Sequence, residues 1–145
     1  MTEIKRIVVG VDGSDSSRAA LHWAYDEATH HSATLSVIST WHPAAMPMTP
    51  PYGSLPPEGY ADQPKQNALD LLEKLIAALE ARKPAVDVRT VISEGNPAEV
   101  LIEQSKDADL MVVGSRGHGG FKGMLLGSVS QHLVAHSDCP VVVVR

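Results

Sequence analysis

The 145-residue sequence contains one cysteine, Cys139, and one phenylalanine, and aromatic residues make up only 4% of it. A lone cysteine cannot close an internal disulfide, so nothing calls for an oxidising compartment. No apolar run is long enough to span a bilayer, which argues against a membrane protein. Basic residues are also in deficit: 12 Lys and Arg stand against 17 Asp and Glu, a net charge of −5. A nucleic-acid binder normally shows a basic face, so that class is disfavoured as well. The opening "MTEIKRIVVGVDGS" lacks the charged-then-apolar pattern of a secretory leader. Together these absences lead us to expect a cytoplasmic protein whose partners are neither membranes nor nucleic acids.

What is present is a series of short β-branched runs. Residues 6–11, 33–40, 108–114 and 140–145 are nearly continuous in apolar character, the habit of strands buried on both faces. A fifth run, 86–93, alternates apolar and polar residues, as a strand with one partly exposed face does. Helical spacing separates them. Ala20, Leu21, Ala24 and Ala28 follow the candidate caps Ser14 to Ser17, and Ala68, Leu72, Leu75, Ile76 and Leu79 form a second stripe. Asn96 with Pro97 and Glu99 opens a third helix, and a fourth follows Gly127 and stops before Pro140. Strict β-α alternation predicts right-handed crossovers and an open five-stranded parallel sheet with helices on both faces, one domain over 1–145. Residues 42–64 interrupt the pattern with seven prolines in 23 residues and read as an inserted loop.

Chemistry concentrates in "VVGSRGHGGFKGMLLGSVS" (112–130), which holds six of the eleven glycines, two cations and no acid. In an open parallel sheet, ligands sit beyond the carboxyl ends of the strands where the winding reverses. Gly114 closes a strand at such an end, and Gly127-Ser128 opens a helix whose free N–H groups and positive dipole end suit a phosphate. Ser128 and Ser130 add hydroxyl donors, and Arg116 and Lys122 add charge. The familiar phosphate grammars fail. Lys122 is followed by Gly123 rather than Ser or Thr, and it stands where the third glycine of GxGxxG belongs. "HGG" at 118–120 has no accompanying GxSxG elbow, which removes a hydrolase reading, and "DGSDSS" lacks the paired glycines of a pyrophosphatase loop. His132 and His136 lie one helical turn apart without a third metal ligand in evidence, so packing or exposure is their simpler role. Cys139, ahead of an apolar strand, reads as a small hydrophobe.

The spacing Gly114-x2-Gly117-x9-Gly127-Ser128, with "IVVGVDGS" at the start and "LLGSVSQHLVAHSDCPVVVV" at the end, resembles the nucleotide signature of the universal stress protein family, in its ATP-binding branch. The resemblance covers the whole chain. It implies a Rossmann-like, adenine nucleotide alpha hydrolase-like sheet in the order 3-2-1-4-5. It further implies ATP, accompanied by Mg, as the ligand. Gly10, Val11 and Asp12 would line the nucleoside, with Asp12 near the ribose or a nucleotide-bound Mg. Thr40 would face adenine, and Gly95 would close that pocket. Gly114, Ser115, Arg116 and Gly117 would track ribose and phosphates, with His118 inside the same loop, and Gly127, Ser128, Val129 and Ser130 would offer donors to the phosphate chain. The implied role is a nucleotide-dependent stress-response regulator or nucleotide buffer. A slow ATPase, a phosphate- or adenylate-transferring enzyme and a cyclic AMP-binding module are the alternatives. A homodimer paired through strand 140–145 is implied too.

Overall fold

The computed structural model describes residues 3–44, 58–82, 86–117 and 126–145. Its elements follow the expected alternation: β1 (Arg6–Gly10), α1 (Asp15–His31), β2 (Thr34–Trp41), α2 (Gln63–Glu80), β3 (Val88–Glu94), α3 (Pro97–Ser105), β4 (Leu110–Gly114), α4 (Ser128–His136) and β5 (Val141–Val144). All strand pairs are parallel, and the sheet order is β3-β2-β1-β4-β5.

Side-chain alternation along the central strands divides the core in two. Ile7, Val9, Leu35, Val37 and Val112 meet α1 and α2 through Leu21, Ala24, Leu72, Leu75 and Leu79. Val8, Ile38, Met111 and Val113 point the other way and meet Leu101 of α3 and Leu133 of α4. This distribution follows from connection handedness. The chain winds one way from β1 to β3, crosses back over β1 to β4, and continues outward to β5, so right-handed crossovers place α1 and α2 on one face and α3 and α4 on the other. The winding reverses between β1 and β4. Their carboxyl ends, Gly10 and Gly114, flank the crevice that results.

Local chemistry sets the helix starts. Ser14 is the N-cap of α1 and accepts from the Ser17 N–H; Asn96 caps α3 by accepting from Ala98 and Glu99, with Pro97 at the first helical position. The inserted segment is shorter than its proline content suggests. A turn of 3-10 helix at Tyr60–Asp62 and the start of α2 at Gln63 occupy the end of the 42–64 stretch. Pro64 sits in the first turn of α2, where its missing N–H has no helical acceptor anyway, so a proline read as loop belongs to a helix. Residues 45–57 of the insertion lie outside those described.

Candidate functional site

A cleft of about 560 Å³ opens at the carboxyl ends of β1, β2 and β4. Gly10, Val11, Asp12, Thr40, Gly114, Arg116, Gly117, Gly127, Ser128, Val129 and Ser130 all line it, so the structure brings most of the sequence candidates together. His118 lies outside the described residues.

Three helices point their N-termini toward this cleft, and their caps differ. Asp12 and Ser14 close the start of α1. Gly13 takes a positive φ of 86°, which turns the chain so that Asp12 Oδ1 accepts from both the Ser14 N–H (2.9 Å) and the Ser14 hydroxyl (2.5 Å). Asn96 Oδ1 closes the start of α3. The N-cap of α4 is Gly127, which has no side chain to offer, and no side-chain cap replaces it among the described residues. The first-turn N–H groups of Ser128, Val129 and Ser130 have no intrahelical acceptor. Gly127 has φ −77° and ψ 173°, extended backbone open to any residue. Serine or aspartate there would spend the donors internally. Glycine leaves them facing the cleft, with the positive end of the helix dipole behind them.

Two candidates serve the frame rather than the cleft. Ser115 is buried and does not line the cavity. Its N–H donates to the Val144 carbonyl (2.7 Å), and its carbonyl accepts from the Gly127 N–H (2.6 Å) and the Ser130 hydroxyl (3.1 Å). Those bonds hold the mouth of the loop closed on β5 and α4. Gly95 also lies off the cavity lining; its φ of 139° ends β3, and its N–H donates to the Trp41 carbonyl (3.0 Å). Ser130 lines the cleft, but its hydroxyl also lies 3.0 Å from the Gly127 carbonyl. Its hydroxyl is thus engaged within the chain.

The glycines of the loop are explained by crowding, not by left-handed backbone, since neither Gly114 nor Gly117 has a positive φ. A Cβ on Gly114 would lie 2.7 Å from the Ser16 carbonyl carbon and 2.8 Å from the Ser17 nitrogen. A Cβ on Gly117 would lie 2.6 Å from Asp12 Oδ2. Gly114 lets β4 end against the first turn of α1, and Gly117 lets the loop lie against the Asp12 carboxylate.

Sequence reasoning missed several walls. Trp41 and His42 follow Thr40 along the chain, and Lys65 sits 5.7 Å over the Trp41 ring. Pro97 and Leu101, one turn apart on α3, complete the apolar side with Ile38 and Val113. The available signal was the i, i+4 spacing of Pro97 and Leu101 at the start of α3; the sequence reading used Pro97 only as the first helical position. Elsewhere, His132 Nδ1 is 3.2 Å from the Ser128 carbonyl, and its ring stands 6.0 Å from that of His136. Burial pushes the Cys139 thiol up from its ordinary value, which disfavours the thiolate, and the side chain packs against the core that Leu101 of α3 and Leu133 of α4 share.

Fold and cleft define an open parallel α/β protein with an anion-ready helix terminus at its topological switch. The model of the universal stress protein family matches residues 3–145, and the chain belongs to that family. A universal stress protein of Mycolicibacterium smegmatis is 36% identical over 140 residues, covering 96% of this chain and 45% of that protein. The chain thus spans about half the length of the curated relatives it matches. Among solved structures, UspA from Lactobacillus plantarum superposes with a TM-score of 0.81 at 25% identity, over 100% of both chains. A universal stress protein solved in complex with cAMP gives a TM-score of 0.68 at 28% identity, over 99% of this chain and 98% of that one.

Gly114→Ala is expected to lower stability by about 1–3 kcal/mol in urea denaturation without any ligand, because its Cβ meets α1 backbone. Gly127→Ala, whose Cβ would stand 3.3 Å from Arg116 Cα, is expected to cost less. Equal stability of Gly114→Ala and wild type would contradict the crowding account.

Proposed function

We propose that the chain binds an adenine nucleotide, ATP in the first instance, and acts in the cytoplasm as a nucleotide-dependent stress-response regulator or nucleotide buffer. The observation that carries this reading is the uncapped first turn of α4 opening into an otherwise largely apolar cleft. The apolar side, made by Ile38, Leu101 and Val113 with Trp41 at the rim, suits a flat base; the α4 terminus and Arg116 suit phosphate.

Asp12 is the sole acid among the described lining residues. It fits a Mg ion that arrives on the nucleotide, since Mg is commonly held by one or two carboxylates together with phosphates and water. The ion would neutralise phosphate charge, and Asp12 would supply one oxygen to it while Oδ1 holds Ser14. The sequence has no glycine-lysine pair of the Walker kind, and Asp12 is the one carboxylate among the described lining residues, which supports retention of the nucleotide over its turnover. Cyclic AMP is the second reading, favoured by the relative solved in complex with cAMP and by a donor set that one helix turn can provide to a single phosphate.

Extraction of undialysed protein is expected to release an adenine nucleotide. Calorimetry with ATP, AMP and cyclic AMP then ranks the readings. Mg is expected to strengthen ATP binding to wild type but not to Asp12→Asn, which keeps the acceptor for Ser14. Absence of heat with all three nucleotides would contradict nucleotide binding, and a preference for cyclic AMP would select the second reading.

We further propose a homodimer joined through β5. That strand pairs only with β4 among the described residues, and its four valines are all half-buried. The carbonyls of Pro140 and Val144 accept from β4 and its following residue, so Val142 between them faces inward and Val141 and Val143 present their N–H groups to the open edge. Val143→Pro therefore removes an outward donor and spares the internal ladder. Light scattering is expected to show a dimer for wild type and a monomer for Val143→Pro; a monomeric wild type, with and without ATP, would contradict the pairing.

A further inference from the structure

Ser16 is half-buried in the first turn of α1 and does not line the cleft. Its hydroxyl nevertheless reaches 100 residues along the chain to the Arg116 peptide. It donates to the Arg116 carbonyl and accepts from the Arg116 N–H at 3.4 Å. The Ser14 hydroxyl lies 3.4 Å from the same carbonyl. Space for this contact exists because residue 114 is glycine: a Cβ there would stand 2.5 Å from Ser16 Oγ. Arg116 and Gly117 do line the cleft, on the side of the α4 terminus. One hydroxyl thus uses both its donor and its acceptor capacity on the backbone of Arg116, bonding the peptide groups on either side of its Cα, where the chain leads into the phosphate side of the site.

We infer that Ser16 is a positioning residue for phosphate recognition, acting through the Arg116–Gly117 backbone without touching the ligand. The inference rests on the nucleotide reading above and adds a division of labour within it. Gly10, Thr40 and Leu101, which line the nucleoside side, take no hydrogen bond from Ser16. Loss of the Ser16 hydroxyl should therefore penalise ligands according to their phosphate and leave a nucleoside unaffected. A purely structural role would weaken both ligands together.

Ser16→Ala tests this, since alanine suits a helix and keeps the Cβ. Calorimetry would compare AMP with adenosine on wild type and variant, and amide hydrogen exchange would be followed at Arg116 without ligand. AMP affinity is expected to fall about three- to tenfold, the effect of one or two neutral hydrogen bonds. Adenosine affinity is expected to hold, and exchange at the Arg116 amide to accelerate. Unchanged AMP affinity, or an equal loss for AMP and adenosine, would overturn the positioning role. A wild type that binds neither ligand would overturn the nucleotide reading instead, and in that case unchanged Arg116 exchange in the variant would overturn the anchor as well.

Discussion

The candidate site depends on a helix terminus, that of α4, which no described side chain caps. The carboxyl ends of β1, β3 and β4 each feed a helix, and a helix start always leaves backbone N–H groups without helical acceptors. Ser14 takes one of those donors on α1, from Ser17, and Asn96 takes two on α3, from Ala98 and Glu99. Gly127, without a side chain, takes none on α4. The fold therefore gathers three similar termini around one cleft, and among the described residues only the α4 terminus has no side-chain cap. A cap on α4 would add about 1 kcal/mol of helix stability. Its omission, in a nine-residue helix held by the buried Leu133, is consistent with donors kept for something outside the chain.

This arrangement also reconciles the proposed anion site with an acidic protein. A net charge of −5 spread over the surface disfavours phosphate approach at long range, but salt screens that field within about 8 Å. Within the cleft the balance is different, with one carboxylate, Asp12, set against Arg116 and the α4 dipole. Asp12 is itself occupied, since Oδ1 receives two bonds from Ser14. The serines of the β1–α1 turn thus settle local geometry on both sides of the crevice: Ser14 orients Asp12, and Ser16 holds the β4 loop.

Much of the fold was legible because parallel strands announce themselves. Continuous runs such as "RIVVG" and "LMVVG" have no polar face to show, and the alternating run at 86–93 forms the edge strand β3, paired among the described residues with β2 alone. The caps at Ser14 and Asn96 were legible for a chemical reason, since each needs only local sequence. The cleft was harder. Ser115 and Ser128 look alike in the glycine stretch, yet one is buried on the β5 backbone and the other opens α4; only the tertiary fold distinguishes them. The reason for Gly114 was equally hidden, because what a missing Cβ would meet lies 98 positions earlier at Ser16. Trp41 and Leu101 were overlooked as walls because they come from elements whose own periodicity speaks only of the core.

The central claim is that phosphate docks on the α4 terminus and not on its capped neighbours. Backbone amide chemical shifts during an AMP titration test it directly, with Ser128, Val129 and Ser130 read against Ser16 and Ser17 of α1 and Ala98 and Glu99 of α3. The account requires the largest downfield shifts at the α4 residues, with small changes at the two capped turns. Dominant shifts at Ala98 and Glu99 or at Ser16 and Ser17, with α4 unmoved, would contradict it.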